Sequence, residues 1–239
     1  MVSFDGQIAL VTGASGGIGG AIATELASRG ATVYLVGRNE EKLAALQNKL
    51  GSKTIAWVAD LTADKAVDEV VAQVQNKFGR LDILVHCAGA IAHEKLTTAS
   101  VEALDRQYAA NIRGPYRLTQ ALIPLLKKPR GQIIFINSST GLSASAAAGQ
   151  FSMTQHAFKA MADALRDNIN ADGIKVTSVF PGRTATPRIE KLSAKEGQDF
   201  KPELLLQPED VAHVVVGALS LPWTAEVTNI QIRPMQKSY

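Results

Sequence analysis

The nine residues from Val11 to Gly19, Val-Thr-Gly-Ala-Ser-Gly-Gly-Ile-Gly, constrain this chain more than any other stretch. An apolar run, Ile8-Ala9-Leu10-Val11, precedes them and reads as a buried strand. Ala21-Ile22-Ala23-Thr24-Glu25-Leu26-Ala27 follows as a good helix former with its apolar residues on one face. Strand, glycine turn and helix in that order open a dinucleotide-binding βαβ unit. Gly13 permits a tight turn, Gly17 lets backbone approach a pyrophosphate, and Gly19 lets the helix pack closely on the strand. The helix N-terminus then offers N–H groups and a partial positive charge to phosphate. The spacing is Gly-x-x-x-Gly-x-Gly, not the commoner Gly-x-Gly-x-x-Gly.

The rest of the composition narrows what such a unit belongs to. A chain of 239 residues fits one α/β domain spanning 1–239 with a large core. The net charge of +3 is small and no long basic run exists, Lys127-Lys128-Pro129-Arg130 being the densest patch, so no footprint for nucleic acid is expected. Cys87 is the single cysteine, which excludes an internal disulfide and points to a reducing compartment. Met1 to Gly6 reads as the start of the fold without a signal peptide, and no apolar run approaches the ~20 residues of a membrane span. The expectation is a soluble cytoplasmic protein with no membrane partner.

Apolar runs alternate with amphipathic segments along the whole chain, which predicts a parallel sheet wrapped by helices on both faces. Strands are expected at Thr32–Gly37, Thr54–Ala59, Leu81–His86, Gln132–Asn137, Lys175–Phe180 and Val227–Ile232. Helices are expected from about Glu40 to Leu50, Asp64 to Phe78, Gln150 to Asn170 and Pro208 to Leu219. Val101 to Leu126 reads as one long helix holding Asn111 and bent at Gly114-Pro115. Ser143 to Gly149 reads as a loop of small residues beside a pocket, and Thr186 to Gln207 as an insertion over the sheet edge.

These residues resemble the short-chain dehydrogenase/reductase family over nearly the whole chain. The resemblance rests on Thr12-Gly13-Ala14-Ser15-Gly16-Gly17-Ile18-Gly19, Asp60-Leu61, Cys87-Ala88-Gly89, Asn111, Ser138 and Pro181-Gly182. Cys87 stands where the family usually has Asn. The resemblance implies a doubly wound, seven-stranded parallel sheet (a Rossmann fold). It also implies an NAD- or NADP-dependent oxidoreductase acting on a small carbonyl or alcohol, and a homodimer or homotetramer packed through the two long helices. It assigns Gly13, Ser15, Gly17, Ile18, Gly19, Arg38, Asp60, Leu61, Ala88, Gly89, Gln155, Pro181, Gly182, Thr184 and Thr186 to cofactor binding. Asp60 is expected at the adenine edge, although an Asp after a strand is also a common helix cap. The coenzyme choice follows from charge. An acidic residue ending strand two would hold the ribose hydroxyls of NAD and repel a 2′-phosphate, whereas Gly37-Arg38 suits NADP(H).

The reaction centre departs from that pattern. The family places Ser, then Tyr thirteen residues on, then Lys four beyond, with Asn on the preceding long helix. Tyr gives the proton, and Lys binds ribose and lowers the Tyr pKa. Here Ser138 and Asn111 are present, but Phe151 and Gln155 occupy the Tyr and Lys positions. Both still point at the expected site, one helical turn apart. Phe has no proton to give, and Gln can bond a ribose without supplying charge. Loss of a general acid costs ~10²–10⁴ in rate. Lys159 lies one turn further and reads mainly as a solvated or interface residue; His156 reads as structural or interfacial, and Tyr108 as core or interface. His86 and His93 flank the strand-four loop without further ligand spacing, so no metal is expected. Two functions remain open: an NADP(H)-dependent oxidoreductase with an altered proton donor, or a cofactor-binding homologue without turnover that acts by assembly or sensing.

Overall fold

The computed structural model describes residues 2–236; Met1 and residues 237–239, which the single-domain expectation also spans, lie outside the described residues. Seven strands form one sheet: β1 (Ile8–Thr12), β2 (Thr32–Gly37), β3 (Thr54–Val58), β4 (Ile83–His86), β5 (Gln132–Ile136), β6 (Lys175–Pro181) and β7 (Asn229–Ile232). They pair in the order β3-β2-β1-β4-β5-β6-β7, every pair parallel. The order reverses between β1 and β4, and ligands of such sheets sit outside the strand C-termini at that point.

Period-two alternation sends side chains to two separate cores. Ile8 and Leu10 of β1, Tyr34 of β2 and Phe135 of β5 face a layer built by α3 (Asp64–Phe78), α5 (Gly114–Lys127) and α6 (Gly149–Ile169). Ala9 and Val11, with Val33, Leu35 and Val85, face a layer built by α1 (Gly17–Ser28), α2 (Glu40–Leu50) and α8 (Pro208–Leu219). β1 is buried along its whole length, as a central parallel strand must be. Two further helices, α4 (Val101–Tyr108) and α7 (Pro187–Glu196), lie at the C-terminal side of the strands. The expected doubly wound, seven-stranded parallel architecture is therefore the one observed. Among the described residues no helix is long and apolar enough to cross a membrane.

The structure adds detail in three places. The long segment after β4 is not one uninterrupted α-helix. It carries a π turn, Ala109–Arg113, in which the Gly114 N–H donates to the Ala109 carbonyl five residues back. Pro115 has no N–H to return to the Asn111 carbonyl, so the ladder loosens ahead of the proline. Gly114 instead serves close approach, because a Cβ there would lie 2.6 Å from the Leu61 carbonyl oxygen. The stretch Thr186 to Gln207 contains α7, capped by the Thr186 hydroxyl accepting from the Ile189 N–H at 3.3 Å. Strand four starts at Ile83, not Leu81, since the Leu81 N–H bonds the Leu125 carbonyl and not a neighbouring strand.

Candidate active site

The glycine turn closes against the end of β4. Gly13 sits at φ +68°, and a Cβ on it would meet the Cys87 and Ala88 backbone at 2.8 Å. The Thr12 hydroxyl holds these segments together, accepting from the N–H groups of Cys87 and Ala88 at 3.0 Å each and donating to the Val85 carbonyl. Cys87 thus keeps its backbone place although its side chain differs from the family's Asn. Burial pushes its thiol up to about 12, partly offset by Arg188 of α7, so it is no nucleophile at neutral pH.

Helix α1 begins at Gly17 with no side-chain cap and no acidic residue in its first turn. Its leading N–H groups and positive dipole end are open to an anion. A Cβ on Gly17 would lie 2.7 Å from the Thr186 methyl, so the start of α7 rests on the phosphate turn. Ser15 packs over the end of β2, where a Cβ on Gly37 would meet its hydroxyl at 2.8 Å. Arg38 follows Gly37 out of β2, exposed, and Asp60 stands after β3 within its electrostatic reach. Burial would raise the Asp60 carboxyl, but bonds from the Thr62 N–H and hydroxyl at 3.0 and 2.8 Å, with Arg38, hold it below the usual range. Asp60 makes an Asx turn; the cap of α3 is Ala63. A bare helix end, a backbone cradle that only glycine fits and a cation beside it suit a phosphorylated dinucleotide.

At the reaction end, Ser138 follows β5. Its hydroxyl accepts from the Thr140 N–H and hydroxyl at 3.2 and 3.0 Å. Asn111 is buried in the π turn, where its side chain bonds both backbone groups of Ala90 and the Thr154 hydroxyl. Neighbouring Asn137 donates to the Gln155 carbonyl at 3.0 Å, tying β5 to α6. Gln155 is 6% exposed. Phe151 is half-buried, and its ring lies 6.2 Å from the imidazole of His93. Thr184 is buried with its hydroxyl on the Gly182 carbonyl, and the Gly182 N–H bonds the Ile232 carbonyl.

The remaining candidates separate clearly. Lys159 turns away from Gln155 to pair with Asp163 at 2.5 Å. Tyr108 is not core, its side chain being half exposed. His156 bonds the Ser152 carbonyl of its own helix at 2.9 Å. His86 is buried against Phe135 and Phe158, with its Nε2 on the Thr119 hydroxyl at 2.7 Å. Among the described residues no group of three His, Cys, Asp or Glu side chains could hold a metal ion. A feature that sequence reading missed is the contact of His93 with Glu196, at 2.6 Å across 103 residues. Neither residue lies in a motif, so no local signal announced it.

Fold and turn together define a nucleotide-binding α/β protein. More narrowly, the family model of the short chain dehydrogenases matches residues 7–197, and the chain belongs to that family. An uncharacterized oxidoreductase of Staphylococcus epidermidis is 36% identical over 230 residues, 96% of this chain and 97% of the relative. One of Staphylococcus haemolyticus is 32% identical over 237 residues, 98% and 100% of the two chains. Among solved structures, the closed form of serine dehydrogenase complexed with NADP+ has a TM-score of 0.89 at 28% identity, covering 98% of this chain and 97% of that one. L-Sorbose reductase from Gluconobacter frateurii, complexed with NADPH and L-sorbose, has a TM-score of 0.87 at 27% identity, covering 97% and 96%.

Proposed function

We propose that this chain is an NADP(H)-dependent oxidoreductase that interconverts a small carbonyl compound and its alcohol, using a proton donor other than the Tyr–Lys pair of its family. The observation that carries this reading is the exposed Arg38 directly after Gly37, where Ser15 packs ahead of the uncapped helix α1, with no carboxylate at the end of β2. Gly13, Ser15, Gly17, Ile18 and Gly19 would hold the phosphates, Arg38 the 2′-phosphate, and Asp60 and Leu61 the adenine. Ala88, Gly89, Gln155, Pro181, Gly182, Thr184 and Thr186 would surround the nicotinamide half. Bound NADPH supplies a hydride. Ser138 would hold the substrate oxygen, and Asn111 keeps the Ala90 backbone and α6 in place.

The NADP-bound serine dehydrogenase and L-sorbose reductase support the coenzyme choice. A homo-oligomer belongs to the same reading: Ile112, Tyr116, Ile123, Met161 and Leu165 line an apolar groove of about 330 Å³ along the outer faces of α5 and α6. With Cys87 the single cysteine, so does a reducing, cytoplasmic setting.

Phe151 and Gln155 favour a second reading, a cofactor-binding protein without turnover. Two measurements decide. Thermal unfolding with NADP+ and with NAD+ tests binding, since a ligand at 100 times its Kd stabilises by ~2.7 kcal/mol. NADPH absorbance against a panel of aldehydes and ketones, with wild type and the double variant Phe151→Tyr, Gln155→Lys, tests turnover. Activity in both supports the oxidoreductase, and activity only in the double variant supports the second reading.

A further inference from the structure

We propose that His93, held by Glu196, is the acid–base group that serves the substrate oxygen in place of the missing phenol; the proposal rests on the oxidoreductase reading above. Phe151 marks the helix position from which a family tyrosine would reach the substrate, and the His93 imidazole lies beside that ring, tilted 47° to it. His93 comes from the segment after β4 and Glu196 from the last residue of α7, so the pair spans the mouth of the site from two sides. The two residues, with Ser145, Ser152 and His156, line a cavity of about 1060 Å³.

The geometry is that of an oriented imidazole. Glu196 Oε1 takes His93 Nδ1 at 2.6 Å, which leaves Nε2 to the cavity. Glu196 Oε2 accepts a very short bond from Arg183, which is itself held by the Gln198 amide oxygen at 2.8 Å. Burial would raise the Glu196 carboxyl, but the bonds from His93 and Arg183 and the Arg183 charge outweigh it and keep the group ionised. An ionised carboxylate on Nδ1–H fixes the tautomer and stabilises the imidazolium, the task of a carboxylate behind a catalytic histidine. The other titratable groups lining the cavity are Glu94 and Lys95 on the segment of His93 and His156 on α6. The alternatives are committed elsewhere: Lys159 to Asp163, and His156 to its own helix, with no carboxylate behind it.

In the reductive direction the carbonyl carbon accepts the hydride given up by the reduced nicotinamide nucleotide. The carbonyl oxygen takes the proton from His93 Nε2–H, so that an N–H bond breaks and an O–H bond forms. The neutral ring regains its proton from water in the cavity, and oxidation of the alcohol reverses each step. Glu196 touches no reacting atom and is a positioning residue.

The test combines NMR with kinetics. Long-range ¹H–¹⁵N spectra of the imidazoles, assigned with His93→Gln, should show neutral His93 protonated on Nδ1. That preference should be lost in Glu196→Ala, and the Nε2 signal should move when NADP+ and 2,3-butanedione are added. NADPH oxidation with 2,3-butanedione and with pyridine-3-carbaldehyde should fall ~10²–10⁴-fold in His93→Gln, with NADP+ affinity unchanged. Glu196→Asp should recover part of the rate lost in Glu196→Ala. A neutral His93 protonated on Nε2, a resonance indifferent to both additions, or a protein that takes up NADP+ and turns over neither probe overturns the dyad. Failure of NADP+ itself to raise the unfolding temperature overturns the oxidoreductase reading instead.

Discussion

Thr12 and Ala88 stand 76 residues apart, yet the Thr12 hydroxyl accepts the Ala88 N–H at 3.0 Å and so joins the end of β1 to the end of β4. The same oxygen takes the Cys87 N–H and returns its proton to the Val85 carbonyl. Thr12→Val keeps the shape and removes all three bonds. Leaving such groups without partners costs ~1–3 kcal/mol. Urea unfolding should show that loss, with most of it recovered in Thr12→Ser, and NADP+ binding should weaken because the phosphate turn loses its brace.

Gly13→Ala should be more damaging than Thr12→Val. A side chain at φ +68° is strained by ~1–3 kcal/mol, and its Cβ would also collide with the Cys87 and Ala88 backbone at 2.8 Å. Backbone cannot yield there without opening the sheet at its switch point. The expected outcome is a lower unfolding temperature with no further rise on adding NADP+.

Arg38 should set coenzyme choice. Hydrogen bonds to a charged group contribute ~1.5–3 kcal/mol, which is ~10–100-fold in affinity. Arg38→Ala should therefore raise the Kd for NADP+ by that factor, measured calorimetrically, with NAD+ binding little changed. Arg38→Asp should reverse the preference, because a carboxylate repels the 2′-phosphate and accepts from ribose hydroxyls.

His86 gives stability a pH dependence. Burial among aromatic rings lowers its pKa from 6.5 to about 3, so between those values the unfolded chain binds a proton that the folded protein refuses. Stability is then complete above pH ~6.5 and falls as pH drops toward 3, by up to ~1.4 kcal/mol per pH unit. Urea midpoints at pH 7, 5.5 and 4.5 should trace this decline. The pair of changes His86→Leu and Thr119→Val, which removes the ring together with its hydroxyl partner, should flatten it.

Much of this fold was legible because its signals are local. Ile8 to Ala27 announces strand, turn and helix within twenty residues, since apolar runs, glycine and helix propensity act over one or two turns. The candidate replacement of Tyr and Lys by Phe151 and Gln155 was read from the spacing of Ser138, Phe151 and Gln155 along one segment. The π turn at Ala109–Arg113 was not read from sequence because proline acts on the carbonyl four positions back, ahead of where it stands in the chain.

What the sequence by itself determined was the order of strands and helices and the glycine turn between β1 and α1. Each follows from residues within a few positions of one another. Only the tertiary structure decided which side chains gather beside Phe151. His93 meets Glu196 because α7 folds back over the strand ends and brings its last residue to the segment after β4. A hydrogen bond depends on distance in space, and a separation of 103 residues carries no record of it in the sequence pattern.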